Sequence, residues 1–164
     1  MTDPLRGAEP RLSADLIATA HAMADAARAA ILPLFRRADL ATDDKGSGRF
    51  DPVTEADRAA EAAMRAVLAR DRPEDAVLGE EQAATEGTTG LTWVIDPIDG
   101  TRGFISGTPT WGVLIALCDA AGPRYGLIDQ PYIGERFEGG FRRAQMHGPL
   151  GEAALATRDT AALS

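Results

Sequence analysis

The stretch WVIDPIDGTRGF, residues 93–104, drives an apolar lead-in of Trp93, Val94 and Ile95 into two aspartates, Asp96 and Asp99. Gly100 and Thr101 follow at once. Pro97 at the second position of the tetrapeptide favours a type I turn, which brings its ends within about 7 Å. Carboxylates that close repel one another unless a cation separates them, and a hard cation such as Mg²⁺ takes oxygen ligands. The backbone carbonyl of Ile98 would add a further oxygen. Gly100 lets the backbone approach a ligand closely, and a helix opening at Thr101 would offer free N–H groups to an anion. A metal beside an anion site suits a phosphate ester. The same hexapeptide also fits a plain surface turn without function.

Two more acidic segments strengthen the chemical reading. Gly79-Glu80-Glu81 places carboxylates at the end of the apolar run Ala76-Val77-Leu78, and Asp51 with Thr54 places acid at a helix start, where simple capping is the alternative. Three separated segments thus deliver acid from loops or strand ends, where binding and catalytic sites are usually built.

The elements that must position these groups follow from periodicity. Ser13 predicts a helix start, and Leu16, Ile17, Ala20, Ala24, Ala27, Ile31, Leu34 and Phe35 predict a helix to about Arg37, bent near its end by Pro33. A polar loop over 39–50 comes next. Thr54 with Asp57 resembles a capping box for a second helix, with Ala60, Ala63, Met64, Val67 and Leu68 on its apolar face. Strands are predicted at 76–78, 91–96, 110–119, 125–130 and 136–142, with a hairpin turn at Ala121-Gly122-Pro123. Two helices followed by hairpin-linked strands predict an α+β fold, the helices packed on a mostly antiparallel sheet. Trp111, Val113, Ile115 and Leu117 alternate with Gly112, Leu114, Ala116 and Cys118, so both faces of that strand are apolar and both call for cover. The helices can supply one face; the other is expected to lie poorly covered, and residues 143–164 are read as loop.

Composition narrows the function. The 164 residues carry a net charge of -8, with 45% hydrophobic and 26% charged residues. That is ordinary for a globular domain, and its acidity argues against nucleic acid as a partner. No apolar stretch is long enough for a membrane span. One cysteine, Cys118, precludes an internal disulfide and fits the cytoplasm. Cys118 is read as core, His21 and His147 as packed or solvated, and Trp93 and Trp111 as packing. Arg102 is read either as solvated or as electrostatic help to a phosphate.

The order DPVTEAD, GEE, WVIDPIDGTRGF resembles the inositol monophosphatase superfamily of Mg²⁺-dependent, lithium-sensitive phosphatases, and GTRGFISGTPTWGVLIAL with GLIDQPYIGER is most similar to its histidinol-phosphatase branch. The resemblance implies the N-terminal domain of a layered αβαβα sandwich: a flexible tail over 1–12, a metal- and phosphate-binding domain over 13–150, and the start of a linker over 151–164. It implies that Glu80, Asp96 and the Ile98 carbonyl bind one Mg²⁺, and that Asp96 and Asp99 bind a second. Glu80 and Thr101 would activate water, with Asp51 hydrogen-bonded to Thr101. Glu80, Asp99, Gly100, Thr101 and Arg102 would contact the substrate, and Lys45 would lie nearby. The implied reaction is in-line hydrolysis of a small phosphorylated substrate, L-histidinol phosphate first and inositol monophosphate second, by a cytoplasmic protein that is a homodimer at full length. The superfamily also carries a tryptophan-aspartate motif in a second domain, completing the second metal site. Trp93 and Trp111 are the only tryptophans here and neither precedes an aspartate. A third reading is therefore a catalytically incomplete piece that binds metal or a partner without turnover.

Overall fold

A computed structural model describes residues 10–37, 42–44 and 52–157. Helix α1 runs Pro10–Ile31, a short hairpin pairs β1 (Thr42–Asp44) with β2 (Pro52–Thr54), and α2 runs Glu55–Asp71. After these come β3 (Ala76–Gly79), β4 (Thr92–Asp99), the five-residue α3 (Thr101–Ile105), β5 (Gly112–Asp119), β6 (Gly122–Gln130), β7 (Glu135–Gly140), β8 (Arg143–Gly148) and β9 (Gly151–Ala154). Strands β3 to β9 form one seven-stranded sheet in sequence order. Only the β3–β4 pair is parallel. The fold is α+β as expected, with helices on one face of a mostly antiparallel sheet.

Several boundaries differ from the sequence reading. α1 begins at Pro10, inside the segment read as tail, because proline needs no partner for an N–H at the first helical position. It ends at Ile31, two residues before Pro33, and the chain continues as turns with Leu34 N–H on the Ile31 carbonyl at 2.9 Å. Thr42–Asp44 pairs with β2 where a polar loop was expected. The largest correction lies at 143–164: Arg143–Gly148 and Gly151–Ala154 are strands, not loop. Phe141 and Arg142, with φ of 47° and 66°, form the tight turn that folds β8 back on β7.

The core lies between the helices and the sheet. Leu16, Ala20, Met23, Ala24, Ala27 and Ile31 from α1 meet Ala60, Met64 and Leu68 from α2, over Trp93, Ile95, Val113, Ile115, Leu117 and Leu127. Each fully buried aliphatic or aromatic side chain contributes about 1.5–3 kcal/mol. The opposite sheet face is open. Val94, Leu114, Ala116, Gly126, Ile128 and Phe137 line a depression of about 540 Å³ there. Leu78 and Ile128 are 49% and 48% exposed. Cys118 sits on this face half-buried, not in the core where it was expected. The poorly covered face was legible in the two-sided apolar pattern of β5.

Candidate active site

β4 carries the first acids into place. Its pairing with β5 matches Asp96 to Leu114 and then Asp99 to Gly112, so the strand bulges between the aspartates. The type I turn expected at Asp-Pro-Ile-Asp is therefore a bulged strand end. Pro97 has no N–H for the ladder and is tolerated at such an irregularity. Pro97 and Ile98 are buried, Asp96 is half-buried and Asp99 is exposed.

Gly100 follows with φ of 87°, a left-handed conformation that suits glycine. The space is equally restrictive, since a Cβ there would stand 2.7 Å from the Thr110 carbonyl oxygen. α3 then starts at Thr101, whose hydroxyl donates to the Ile98 carbonyl at 3.0 Å. Phe104 anchors α3 from below, packed against Phe35 and Trp111 with ring centroids 5.2 and 5.0 Å away.

Asp96 is the electrostatic centre. Burial, followed by the negative charges of Glu80, Asp99 and Asp57, pushes its carboxyl up from 3.8 to about 7. The Ile98 backbone N–H hydrogen-bonds this carboxylate, yet Oδ1 is buried without a partner. Buried acceptors are nearly always satisfied, so an orphan of this kind calls for an explanation. Among the described residues no three carboxylate, imidazole or thiol side chains lie close enough together to hold an ion as placed. The donor set nevertheless fits Mg²⁺. It consists of hard oxygens, one of them a buried orphan, in a group whose mutual repulsion a cation would relieve.

Of the residues singled out in the sequence, the structure gathers Glu80, Asp96, Ile98, Asp99, Gly100 and Thr101 around the C-terminal ends of β3 and β4. Arg102 is exposed on α3. Asp51 and Lys45 lie outside the described residues. Asp57 was missed: read as a cap, it is 3% exposed and its charge reaches Asp96. Glu61 was missed as well. It is fully buried on α2, four residues after Asp57 and on the same helix face. An acid on the apolar stripe with Ala60 and Met64 was the available signal.

Away from this site, Glu138 gathers four donors. Tyr125 and Arg143 donate to it, His21 Nε2 lies 2.9 Å away and His147 Nε2 3.3 Å away. Arg136 can only donate, so His21 Nδ1, 2.9 Å from it, accepts, and Nε2 carries the proton given to Glu138. Against the upward push of burial, these hydrogen bonds hold the Glu138 carboxyl down to about 2. The two histidines are packed against Glu138, and His21 also against Arg136. Trp93 is packed too, donating to the buried Asp75 at 2.9 Å.

Residues 13–159 match the model of the inositol monophosphatase family. A histidinol-phosphatase of Mycobacterium tuberculosis is 42% identical over 126 residues, 77% of this chain and 48% of that protein. One of Streptomyces coelicolor is 44% identical over 127 residues, 75% of this chain and 47% of that protein. A solved inositol monophosphatase from Zymomonas mobilis superposes with a TM-score of 0.71 at 42% identity, covering 90% of this chain and 55% of that one. The chain spans about half the length of the curated relatives it matches.

Proposed function

The chain belongs to the inositol monophosphatase family, and from that premise we propose that it serves the Mg²⁺-dependent hydrolysis of a small phosphate monoester, with L-histidinol phosphate the first choice. The observation that carries the reading is the orphaned Asp96 oxygen among the charges of Glu80, Asp99 and Asp57. Glu80, Asp96, Asp99 and the Ile98 carbonyl would hold the metal. When bound, Mg²⁺ would polarise the phosphoryl oxygens and lower the pKa of water. Thr101 gives its hydroxyl proton to the Ile98 carbonyl, so toward the substrate it offers lone pairs only. It therefore accepts a hydrogen bond from the attacking water and aims the water's own lone pair at phosphorus. Glu80 takes the proton as the new P–O bond forms and the bond to the alcohol oxygen breaks; the proton then passes to the leaving alcohol. The backbone at Gly100 and Thr101 holds the phosphate, with Arg102 and Asp99 alongside.

Residues 13–150 are proposed as the unit carrying this chemistry. The histidinol phosphate preference is supported by the two histidinol-phosphatases among the relatives. Inositol monophosphate is the second reading, favoured by the inositol monophosphatase of Zymomonas mobilis. Metal binding without turnover is the third, favoured by the half-length match. Among the described residues no helix is long and apolar enough to cross a membrane. Cytoplasmic residence, supported by the single Cys118, belongs to the same proposal, as does a homodimer at full length, supported by the family alone. Phosphate release from each ester in millimolar Mg²⁺ tests the set. Release from histidinol phosphate supports the first choice, release from the inositol ester alone moves the substrate, and metal binding with no release supports the third reading.

A further inference from the structure

The buried carboxylate of Glu61 has no place in the chemistry above, yet it touches the segment that presents Glu80. Its side chain is fully buried. Oε2 accepts the backbone N–H of Glu81 at 2.7 Å, and Oε1 accepts that of Gln82 at 3.1 Å. Arg65, one helical turn on, donates Nε–H to Oε1 at 2.8 Å. The same guanidinium reaches the Thr85 hydroxyl at 3.2 Å and the Gln82 carbonyl at 3.3 Å. On the other side of Glu80, a Cβ on Gly79 would stand 2.3 Å from Glu61 Oε1 and 2.7 Å from Oε2. Glycine at 79 is thus what allows the end of β3 to lie against the carboxylate.

We propose that Glu61, locked by Arg65, is a positioning residue that fixes the backbone just after Glu80, with Gly79 packed against it on the other side, and so sets where the Glu80 carboxylate stands for Mg²⁺. The inference rests on Glu80 being a metal ligand. Two charge-assisted bonds to successive peptide N–H groups define the direction of the chain between them, a geometry a neutral side chain does not reproduce. Partners one step removed from a ligand commonly change metal affinity about 10–100-fold when lost.

The test measures the Mg²⁺ dissociation constant by calorimetry, together with metal-free melting, for the 164-residue chain and four variants: Glu61→Gln, Glu61→Asp, Glu80→Gln, and Glu61→Gln combined with Glu80→Gln. Glu61→Asp keeps the charge but withdraws the acceptor by one methylene, so it serves if Glu61→Gln does not fold. The expected result is a loss of about 10-fold or more in affinity for a folded Glu61 variant and a larger loss for Glu80→Gln. The Glu61 change should add less than about 2-fold on top of Glu80→Gln, because its effect runs through that residue. Wild-type affinity in folded Glu61→Gln and Glu61→Asp, with affinity lost in Glu80→Gln, overturns the positioning role alone. Full additivity in the double variant also overturns it, leaving a purely structural contact. Wild-type affinity in Glu80→Gln removes the ligand assignment and the inference with it.

Discussion

Replacing Asp96 by Asn should stabilise the metal-free chain, the reverse of what a substitution in a half-buried strand normally does. The folded carboxyl is raised from 3.8 to about 7. Its contribution to stability is therefore fully present below about pH 3.8 and is lost as pH rises through about 7. A displacement from 3.8 to about 7 is at most ~4 kcal/mol at pH 8 by linkage. Asp96 is only half-buried, and Asp99 and Glu80 are exposed, so solvent screening reduces this to ~1–2 kcal/mol. Asn keeps an oxygen for the Ile98 N–H and removes the charge that Glu80, Asp99 and Asp57 repel. At ~2–4 °C per kcal/mol for a domain of this size, the metal-free variant should melt about 2–8 °C higher than wild type at pH 8. At pH 4 the difference should shrink toward zero. Millimolar Mg²⁺ should raise wild-type melting and leave Asp96→Asn unmoved. Calorimetric melting at the two pH values, with and without Mg²⁺, reads all four quantities. A variant less stable than wild type by more than ~1 kcal/mol at pH 8 without metal, or equally stabilised by Mg²⁺, would refute the reasoning.

Glu138→Gln should cost stability at neutral pH. Holding the carboxyl from 4.5 to about 2 corresponds to at most ~3 kcal/mol, and ~1–2 kcal/mol once the partly exposed Arg143 and histidines are allowed for. Because the folded value is depressed, the wild-type advantage should hold above about pH 4.5 and disappear as pH falls toward 2, which denaturant melts across that range would check. Thr101→Ala should lower turnover by 10-fold or more while leaving the Mg²⁺ midpoint within about 2-fold, since its hydroxyl bonds the Ile98 carbonyl and, in the proposed mechanism, orients the attacking water rather than the metal; an equal loss in both would place it among the metal ligands.

The helices and most strands were legible because one face of each repeats at a single period: Leu16, Ala20, Ala24, Ala27 and Ile31 at helical spacing, Val113, Ile115 and Leu117 at two. Asp96 and Asp99 were legible from residue type and spacing. The form of the backbone between them was not, because the choice between turn and bulge is made by the pairing of β4 with β5. Nor were β8 and β9 visible. RAQMHG and GEAA show no alternation to follow; β8 folds back through Phe141-Arg142 and β9 through Pro149-Leu150, and neither turn carries the usual Asn-Gly signature. Asp57 and Glu61 escaped for a related reason. Their burial comes from tertiary surroundings that a helical pattern does not show, the Glu81 and Gln82 peptides in the case of Glu61.

The two borders of the seven-stranded sheet are unequal. At β3 the backbone is met by the chain's own loop: Val77 and Thr85 exchange N–H···O bonds of 2.9 and 2.8 Å. At β9 all four residues are exposed, and among the described residues no strand lies beyond it. Unpaired main-chain groups on such a border are a template onto which another strand can add. Six strand spacings of about 4.8 Å put roughly 29 Å between the two borders. The acids gather at the guarded one. Among the described residues, the border left open to a further strand is thus the one far from the site, where a strand could join without displacing a single residue of the site.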